Sequence, residues 1–315
     1  MIDSPYVSVI VPIYNEEKYV RSCLESLFSQ CYPKDRYEII VVDNGSTDDT
    51  HQILDDIGID YKVFMGGKVG AVRNYGESLA KGDIVCFLDA DCVAPLDWIV
   101  NGVKNLQAPE IGATGGAYLL RSNPNWVEKS WVIKTPVESE VVDHLVGGSL
   151  FLRRSDFNDL GGFDEKINAG EDTKLSHEIS KRGYVLYQDT KLAVTHLGYP
   201  TNIFDFLKRQ FWHSSSFFKS KKSWRDRTFL LTLVFSVSFA LFILLSIFSL
   251  YFYSLFCFLF FVFVPVLFTV KKVWSVGVAD VSLNVLFGAL FLNFLYFFSR
   301  SLGMWIGLAF DPFKK

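Results

Sequence analysis

From Thr228 to Val270 the chain runs for more than forty residues without one charged side chain. A helix needs about 20 consecutive apolar residues to cross a bilayer, so this run predicts two spans joined by a tight turn near Leu250 to Ser254. Lys271 and Lys272 close it. Val281 to Ser299 predicts a third span, extending toward Phe310. The chain contains 30 Phe among its 315 residues, and residues 228–310 are dense in Phe, Leu and Val. Residues 1–225, in contrast, carry the mixed charge of a water-soluble domain. So sharp a shift marks a change of solvent from water to lipid. It predicts three parts: a water-soluble domain over 1–200, interfacial amphipathic helices over 201–227 and transmembrane helices over 228–310.

The basic residues orient this arrangement. The 219–227 region and Lys271-Lys272 flank the first pair of spans, and cationic flanks stay in the cytoplasm. Lys314-Lys315 runs against the same rule, because three spans would place it outside. Met1 to Tyr6 is short and polar, and the apolar run that follows stops at Asn15-Glu16-Glu17, unlike a secretory signal. The expectation is a multi-pass membrane protein with its water-soluble domain on the cytoplasmic face. Between Thr201 and Lys222, Phe204, Phe206, Phe211, Trp212 and Phe217 alternate with Lys208, Arg209, Lys219 and Lys221. This mixture predicts helices lying in the lipid headgroup region, in preference to a helix packed on the soluble domain.

The formal charge of −3 lacks the basic stripe of a nucleic-acid binder. Cys23, Cys31, Cys86, Cys92 and Cys257 form no metal-ligand spacing, and Cys86 lies in an apolar run that predicts core.

The first half alternates strand and helix patterns. Val7 to Ile13 is nearly continuous and apolar, as a strand covered on both faces requires. Val20, Cys23, Leu24, Leu27 and Phe28 follow helical spacing. Glu38 to Val42, Tyr61 to Phe64 and Asp83 to Leu88 predict further strands. Ser46 predicts a helix N-cap with Asp48 and Asp49 in the first turn, and another helix carries Arg73 and Asn74. Gly147 to Arg153, Asp172 to Lys181 and Tyr184 to His196 predict strand, helix and strand. Residues 121–145, with Trp126, Trp131 and Pro136, predict a loop or surface insertion. The order implies an α/β fold with a mostly parallel sheet flanked by helices.

Ligands of such sheets bind at the carboxyl ends of the strands. There stand Asn15 and Glu16, Asp43 and Asn44, and Asp89 and Asp91. Two carboxylates one residue apart suit a hard divalent cation, Mg²⁺ or Mn²⁺, that also takes phosphate oxygens. Glu171-Asp172, after Asn168-Ala169-Gly170, either caps a helix or supplies a general base for an acceptor hydroxyl.

These residues carry a resemblance. Val7-Ser8-Val9-Ile10-Val11-Pro12-Ile13-Tyr14-Asn15-Glu16, Val42-Asp43-Asn44-Gly45-Ser46-Thr47-Asp48, Ala71-Val72-Arg73-Asn74, Phe87-Leu88-Asp89-Ala90-Asp91, Gly161-Gly162-Phe163-Asp164-Glu165 and Gly170-Glu171-Asp172 resemble the successive motifs of the family-2 glycosyltransferases of GT-A fold, over about residues 7–215. The resemblance implies an inverting transfer from a nucleotide diphosphate sugar, a UDP-sugar foremost, to a lipid-linked or glycan acceptor. It implies Pro12, Tyr14 and Glu16 in the nucleotide pocket, Asp43 at the base and Arg73 near the base or diphosphate. Asp89 would serve ribose and metal, Asp91 the metal, and His196 the metal or diphosphate. Asp172 would be the base, with Glu171 beside it. Arg209-Gln210-Phe211-Trp212 departs from the Gln-x-x-Arg-Trp of processive members, which favours transfer of one sugar at a time. Ser149 stands where many relatives have Asn. A polyprenyl-phosphate sugar synthase, a processive polysaccharide synthase and an inactive sugar-nucleotide-binding scaffold are the alternatives.

Overall fold

In the computed structural model, residues 4–133, 138–167, 170–215, 227–274, 276–277 and 281–309 are described. Strand β1 (Val7–Ile13) shows why the fold starts here. Val7, Val9, Val11 and Ile13 enter one apolar cluster, and Ile10 enters another. The two-residue period of a strand thus divides this run between both faces of a sheet. Helix α1 (Val20–Phe28) buries Val20, Cys23, Leu24 and Leu27 and leaves Phe28 exposed. Strand β2 (Tyr37–Asp43), helix α2 (Thr50–Ile57), strand β3 (Tyr61–Val63), helix α3 (Val69–Ser78) and strand β4 (Ile84–Leu88) follow. Strands β1, β2, β3 and β4 pair in parallel.

Helix α2 starts later than its apparent cap predicts. Asp49 occupies the N-cap position, and Ser46 donates instead to Asp43. A buried carboxylate needs donors more than a helix end open to water does.

The chain next forms β5 (Cys92–Val93), α4 (Trp98–Asn105), β6 (Ile111–Gly115) and β7 (Tyr118–Leu119). After helix α5 (Trp126–Trp131) come β8 (Glu140–Val141), β9 (Ser149–Arg153), α6 (Arg154–Asp159), α7 (Glu171–Lys181), β10 (Val185–Gln188) and β11 (Val194–His196). The main sheet has the order β3-β2-β1-β4-β9-β6-β10-β8. It is mixed: β9 runs antiparallel to both β4 and β6, and β8 runs antiparallel to β10. A small sheet, β5-β11-β7, sets Cys92 opposite His196 and Val194 opposite Tyr118. Cys86 is core, as its apolar run predicts.

Packing divides the chain into a sheet unit, Met1–Arg121 with Thr135–Gly198, and a helical unit, Ser122–Lys134 with Tyr199–Lys315. The first part of the expected surface insertion is therefore helix α5, a member of the helical unit. The signal was local: the Asn125 side chain accepts from the Val127 and Glu128 amides, and Glu128 returns a bond to the Asn125 amide. This reciprocal capping box sits in a stretch with too little periodicity to announce a helix.

The helical unit adds α8 (Ile203–Ser214), α9 (Arg227–Ile247), α10 (Tyr251–Trp274) and α11 (Leu283–Ala309). The last three are long and apolar enough to cross a membrane. The turn between α9 and α10 falls at residues 248–250, slightly before the expected place, and Ser249 takes φ 55° there. Val127, Phe206, Phe235, Val264, Leu292, Tyr296 and Phe297 form its core. Helix α8 buries Phe206, Gln210 and Ser214 and leaves Phe204 and Trp212 exposed. Ser299 of α11 donates to the Leu207 carbonyl at 2.6 Å, which fastens α8 to α11. Pro136, Lys219, Lys221, Lys222, Lys314 and Lys315 lie outside the described residues.

Candidate active site

Three strands deliver the polar residues to one end of the sheet. Pro12 is the penultimate residue of β1 and pairs with Val42. Tyr14, 43% exposed, and Glu16 follow it. The Glu16 amide donates to Thr50 Oγ1 at 2.9 Å, and its carbonyl accepts from Tyr19 and Val20 as α1 begins.

Asp43 ends β2 and is fully buried. Its Oδ2 accepts from the amides of Gly45, at 2.8 Å, and Ser46, at 3.0 Å, and lies 2.9 Å from His51 Nε2. Burial favours the neutral acid, but the bonds from Ser46, His51 and Gly45 outweigh it and hold the carboxyl below its usual range. The carboxylate is thus spent on folding its own loop. The Asn44 amide donates to the Gly67 carbonyl at 2.7 Å and accepts from the Gly67 amide at 3.1 Å, which ties the next loop to the first.

The centre of the site is a charged network around Arg73. This side chain, only 3% exposed, donates from Nη1 to Glu171 Oε1 and from Nη2 to Asp89 Oδ1, both at 2.6 Å. Burial works against its charge, but Asp89 and Glu171 outweigh it and raise its pKa. Burial likewise opposes ionisation of Asp89. Arg73, with a 2.9 Å bond from the Tyr118 hydroxyl to Oδ2, overcomes this and holds Asp89 ionised below the ordinary range.

Asp91 lies just past β4, and its Oδ2 is 3.3 Å from His196 Nε2. Asp91, Cys92 and His196 offer ligand atoms within 4.8 Å of one another. Burial and the two nearby carboxylates push the Cys92 thiol up, so it stays protonated and is a poor ligand for a hard cation. A carboxylate and an imidazole remain. A Cβ at Gly198 would collide with the Asp91 carboxylate, so this position of the carboxylate requires glycine there. This donor pair fits Mg²⁺ or Mn²⁺ with water and phosphate filling the other positions.

On the opposite side, Glu171 opens α7 and is buried on Arg73, whereas Asp172 is only half-buried. The amides of Gly147, at 3.0 Å, and Thr173, at 2.7 Å, each donate to one oxygen of Asp172. The structure therefore brings Arg73, Asp89, Asp91, Glu171, Asp172 and His196 together, with Asp43, Pro12, Tyr14 and Glu16 on the neighbouring strands. Ser149 is buried: it accepts from Trp98 Nε1 at 2.9 Å and donates to the Leu192 carbonyl at 2.7 Å. Tyr118 and Gly148 gave no sequence signal. A Cβ at Gly148 would strike both the Asp89 carboxylate and the Tyr118 hydroxyl, a clash visible only once β9 is laid beside β4.

Residues 8–161 match the sequence model of Glycosyl transferase family 2. Glycosyltransferase AglE of Haloferax volcanii is 31% identical over 226 residues, 66% of this chain and 71% of that protein. A dolichyl N-acetyl-alpha-D-glucosaminyl phosphate 3-beta-D-2,3-diacetamido-2,3-dideoxy-beta-D-glucuronosyltransferase of Methanococcus voltae is 25% identical, covering 61% of this chain and 66% of that protein. Among solved structures, the mannosyltransferase PcManGT from Pyrobaculum calidifontis, in complex with GDP-Man and Mn²⁺, aligns with a TM-score of 0.54 and 24% identity, over 71% of this chain and 66% of its own. GalNAc-T7 with UDP, GalNAc and Mn²⁺ aligns with a TM-score of 0.51 and 18% identity, over 68% and 51%. Both share the GT-A fold with the sheet unit.

Proposed function

From the premise that this chain belongs to glycosyl transferase family 2, and is a glycosyltransferase, we propose an inverting, divalent-metal-dependent transfer of one sugar from a nucleotide diphosphate sugar to a membrane-borne acceptor. The observation that carries the proposal is the Asp91–His196 pair 3.3 Å apart, beside an Asp89 kept ionised by Arg73, at the carboxyl end of β4.

Asp91 and His196 would hold the metal, which supplies positive charge to a departing diphosphate when bound. Asp89 would orient the donor ribose. Asp43 would serve the nucleoside through the loop it folds, and Pro12, Tyr14 and Glu16 would line that pocket. With its guanidinium committed to two carboxylates, Arg73 would act on the donor through Asp89. In the transfer, the acceptor oxygen bonds to the anomeric carbon as the carbon–oxygen bond to the diphosphate breaks, and the electron pair leaves with the nucleoside diphosphate. The acceptor proton passes to Asp172, whose carboxylate the Gly147 and Thr173 amides orient. Glu171, buried on Arg73, holds the start of α7 rather than taking that proton.

Three names support the finer reading by analogy. The Methanococcus voltae relative is named for a dolichyl-phosphate-linked acceptor, and the fold neighbours are named with GDP-Man or UDP and with Mn²⁺. A UDP-sugar donor and a lipid-linked glycan acceptor are proposed here, with α9, α10 and α11 as the membrane anchor and the sheet unit on the cytoplasmic face.

The test is nucleoside diphosphate release by the full chain in lipid nanodiscs. Activity should need Mn²⁺ or Mg²⁺ and vanish in EDTA and in Asp91→Ala. Asp172→Asn should keep donor affinity and lose about 10²–10⁴-fold in transfer. Full activity in EDTA overturns the metal assignment. A wild-type rate in Asp172→Asn overturns the base and favours an acceptor already ionised, such as a polyprenyl phosphate.

A further inference from the structure

Tyr118 touches Asp89, just past β4, and His196, at the end of β11, by two different parts of its side chain. Its hydroxyl donates to Asp89 Oδ2 at 2.9 Å. Its ring packs edge-on against the His196 imidazole, with centroids 4.7 Å apart and planes at 60°. The small sheet makes this possible. Strand β11 runs between β7 and β5, so Tyr118 arrives on one side of His196 and Cys92, next to Asp91, on the other. The approach of the hydroxyl to Asp89 further depends on Gly148, where a Cβ would strike both partners.

The hydroxyl has a defined direction of action. Asp89 is partly buried, and Arg73 takes Oδ1. Without a donor at Oδ2, the carboxylate is free to rotate about its side-chain bonds toward a two-oxygen grip on the guanidinium, the geometry that arginine and carboxylate prefer. The ring acts independently. Packed at 60° against the imidazole, it bounds one side of His196, and an imidazole ligand must hold its ring plane to present a nitrogen to a metal.

We propose that Tyr118 is a positioning residue for both ligands of this site: its hydroxyl sets the Asp89 carboxylate for the nucleotide sugar, and its ring sets His196 for the divalent metal. This rests on the reading above that Asp89 serves the donor while Asp91 and His196 serve the metal.

The two actions separate in two substitutions. Tyr118→Phe removes the hydroxyl and keeps the ring. Tyr118→Leu removes both. Full-length protein in nanodiscs is titrated with Mn²⁺ in the presence of UDP, with free Mn²⁺ followed by electron paramagnetic resonance. Donor KM and kcat are measured at saturating Mn²⁺. A hydrogen bond to a charged group implies a rise of about tenfold or more in donor KM for Tyr118→Phe. Its Mn²⁺ midpoint should stay within about twofold of wild type, because the ring that faces His196 is still there. Tyr118→Leu should show the same KM rise and, in addition, a Mn²⁺ midpoint raised by about tenfold, the usual least effect of losing an outer partner of a ligand. Gly148→Ala, which forces hydroxyl and carboxylate apart, should reproduce the Tyr118→Phe change in KM and add nothing to it in the double variant.

An unchanged donor KM in Tyr118→Phe overturns the hydroxyl's role. Equal Mn²⁺ midpoints in the Phe and Leu variants overturn the ring's role. A merely structural tyrosine would lower thermal stability in both variants and move neither midpoint nor KM selectively, so Tyr118→Phe, the milder change, decides the matter if Tyr118→Leu unfolds. Absence of saturable Mn²⁺ binding by wild type overturns instead the metal reading on which the inference rests.

Discussion

The two units of this chain bury polar groups in opposite ways. In the sheet unit they are charged and connected: Glu171, Arg73, Asp89 and Tyr118 form one chain of bonds, and His196 with Asp91 lies against its end. Among the described residues, the polar contacts between helices of the helical unit are single links rather than a network; most are neutral, and the charged ones include Lys272 on the Trp131 carbonyl and Arg300 on Gln210 Oε1 at 3.2 Å. Asn293 donates to Thr269 at 2.8 Å, and Trp305 donates to Ser236 at 3.1 Å. The contrast follows from solvent and task. A charged network is costly to desolvate, so it is kept where the proposed site would hold ligands that carry charge. Helices read as crossing a bilayer cannot gain from burying leucine away from lipid, so packing and single hydrogen bonds hold them together.

The largest effect expected from breaking this contrast is in the sheet unit. Arg73→Met leaves the buried Glu171 and the partly buried Asp89 without their cation. Removing one partner of a buried ion pair costs about 3–5 kcal/mol. Amide exchange of β4 and of the start of α7 should accelerate accordingly, while exchange in α9 to α11 stays unchanged. Unaltered exchange in β4 would show that the network does not support the fold.

Next in size, a pair of leucines tests whether the helical unit has a true interior. Leu292 is fully buried, whereas Leu244 is 49% exposed. Leu292→Ala should cost about 2–5 kcal/mol and Leu244→Ala about 0.5 kcal/mol or less, read as denaturation midpoints in one detergent. Equal losses would mean that protein packing contributes nothing beyond lipid contact.

The smallest expected effect is a difference in acid sensitivity. Burial, with Arg300 and Arg209 nearby, lowers the pKa of His213 from 6.5 to about 4. A neutral imidazole is thus favoured in the fold, and the unfolded chain binds its proton first. Stability of the helical unit should decline as pH falls from about 6.5 to about 4, by at most about 3 kcal/mol, and level off below. In the sheet unit Asp43 and Asp89 are held below the usual carboxylate range, so their contribution is complete above about pH 4 and is lost only on further acidification. His213→Gln should flatten the milder transition in thermal unfolding across pH 4–6.5. An unchanged slope assigns that transition to another group.

The two regions also differed in how far they could be read in advance. Strands β1, β2 and β4 and the three long helices are continuous apolar stretches, and their periods or lengths are unambiguous. Strands β5, β7, β8 and β11 are two or three residues long, too short for any period, and β9 runs against its neighbours without a local mark. Ser46 looked like a helix cap, but the buried Asp43 claims it. Trp126 and Trp131 looked like insertion residues, but Trp131 packs against Phe206 and Tyr296 of the helical unit.

By itself, the order of residues determined the chemistry and the solvent of each part: which strand ends carry Asp43, Asp89 and Asp91, and which stretches suit lipid. Local composition and spacing decide these, because hydrophobic periodicity and apolar run length are read within a short window of sequence. Tertiary structure alone decided the partners. Arg73 meets Glu171 98 residues further on, Tyr118 meets Asp89 and His196, and α5 joins helices far along the chain. Such pairs are set by the register of paired strands and by how closely glycine lets two backbones approach, quantities that belong to no single stretch of sequence.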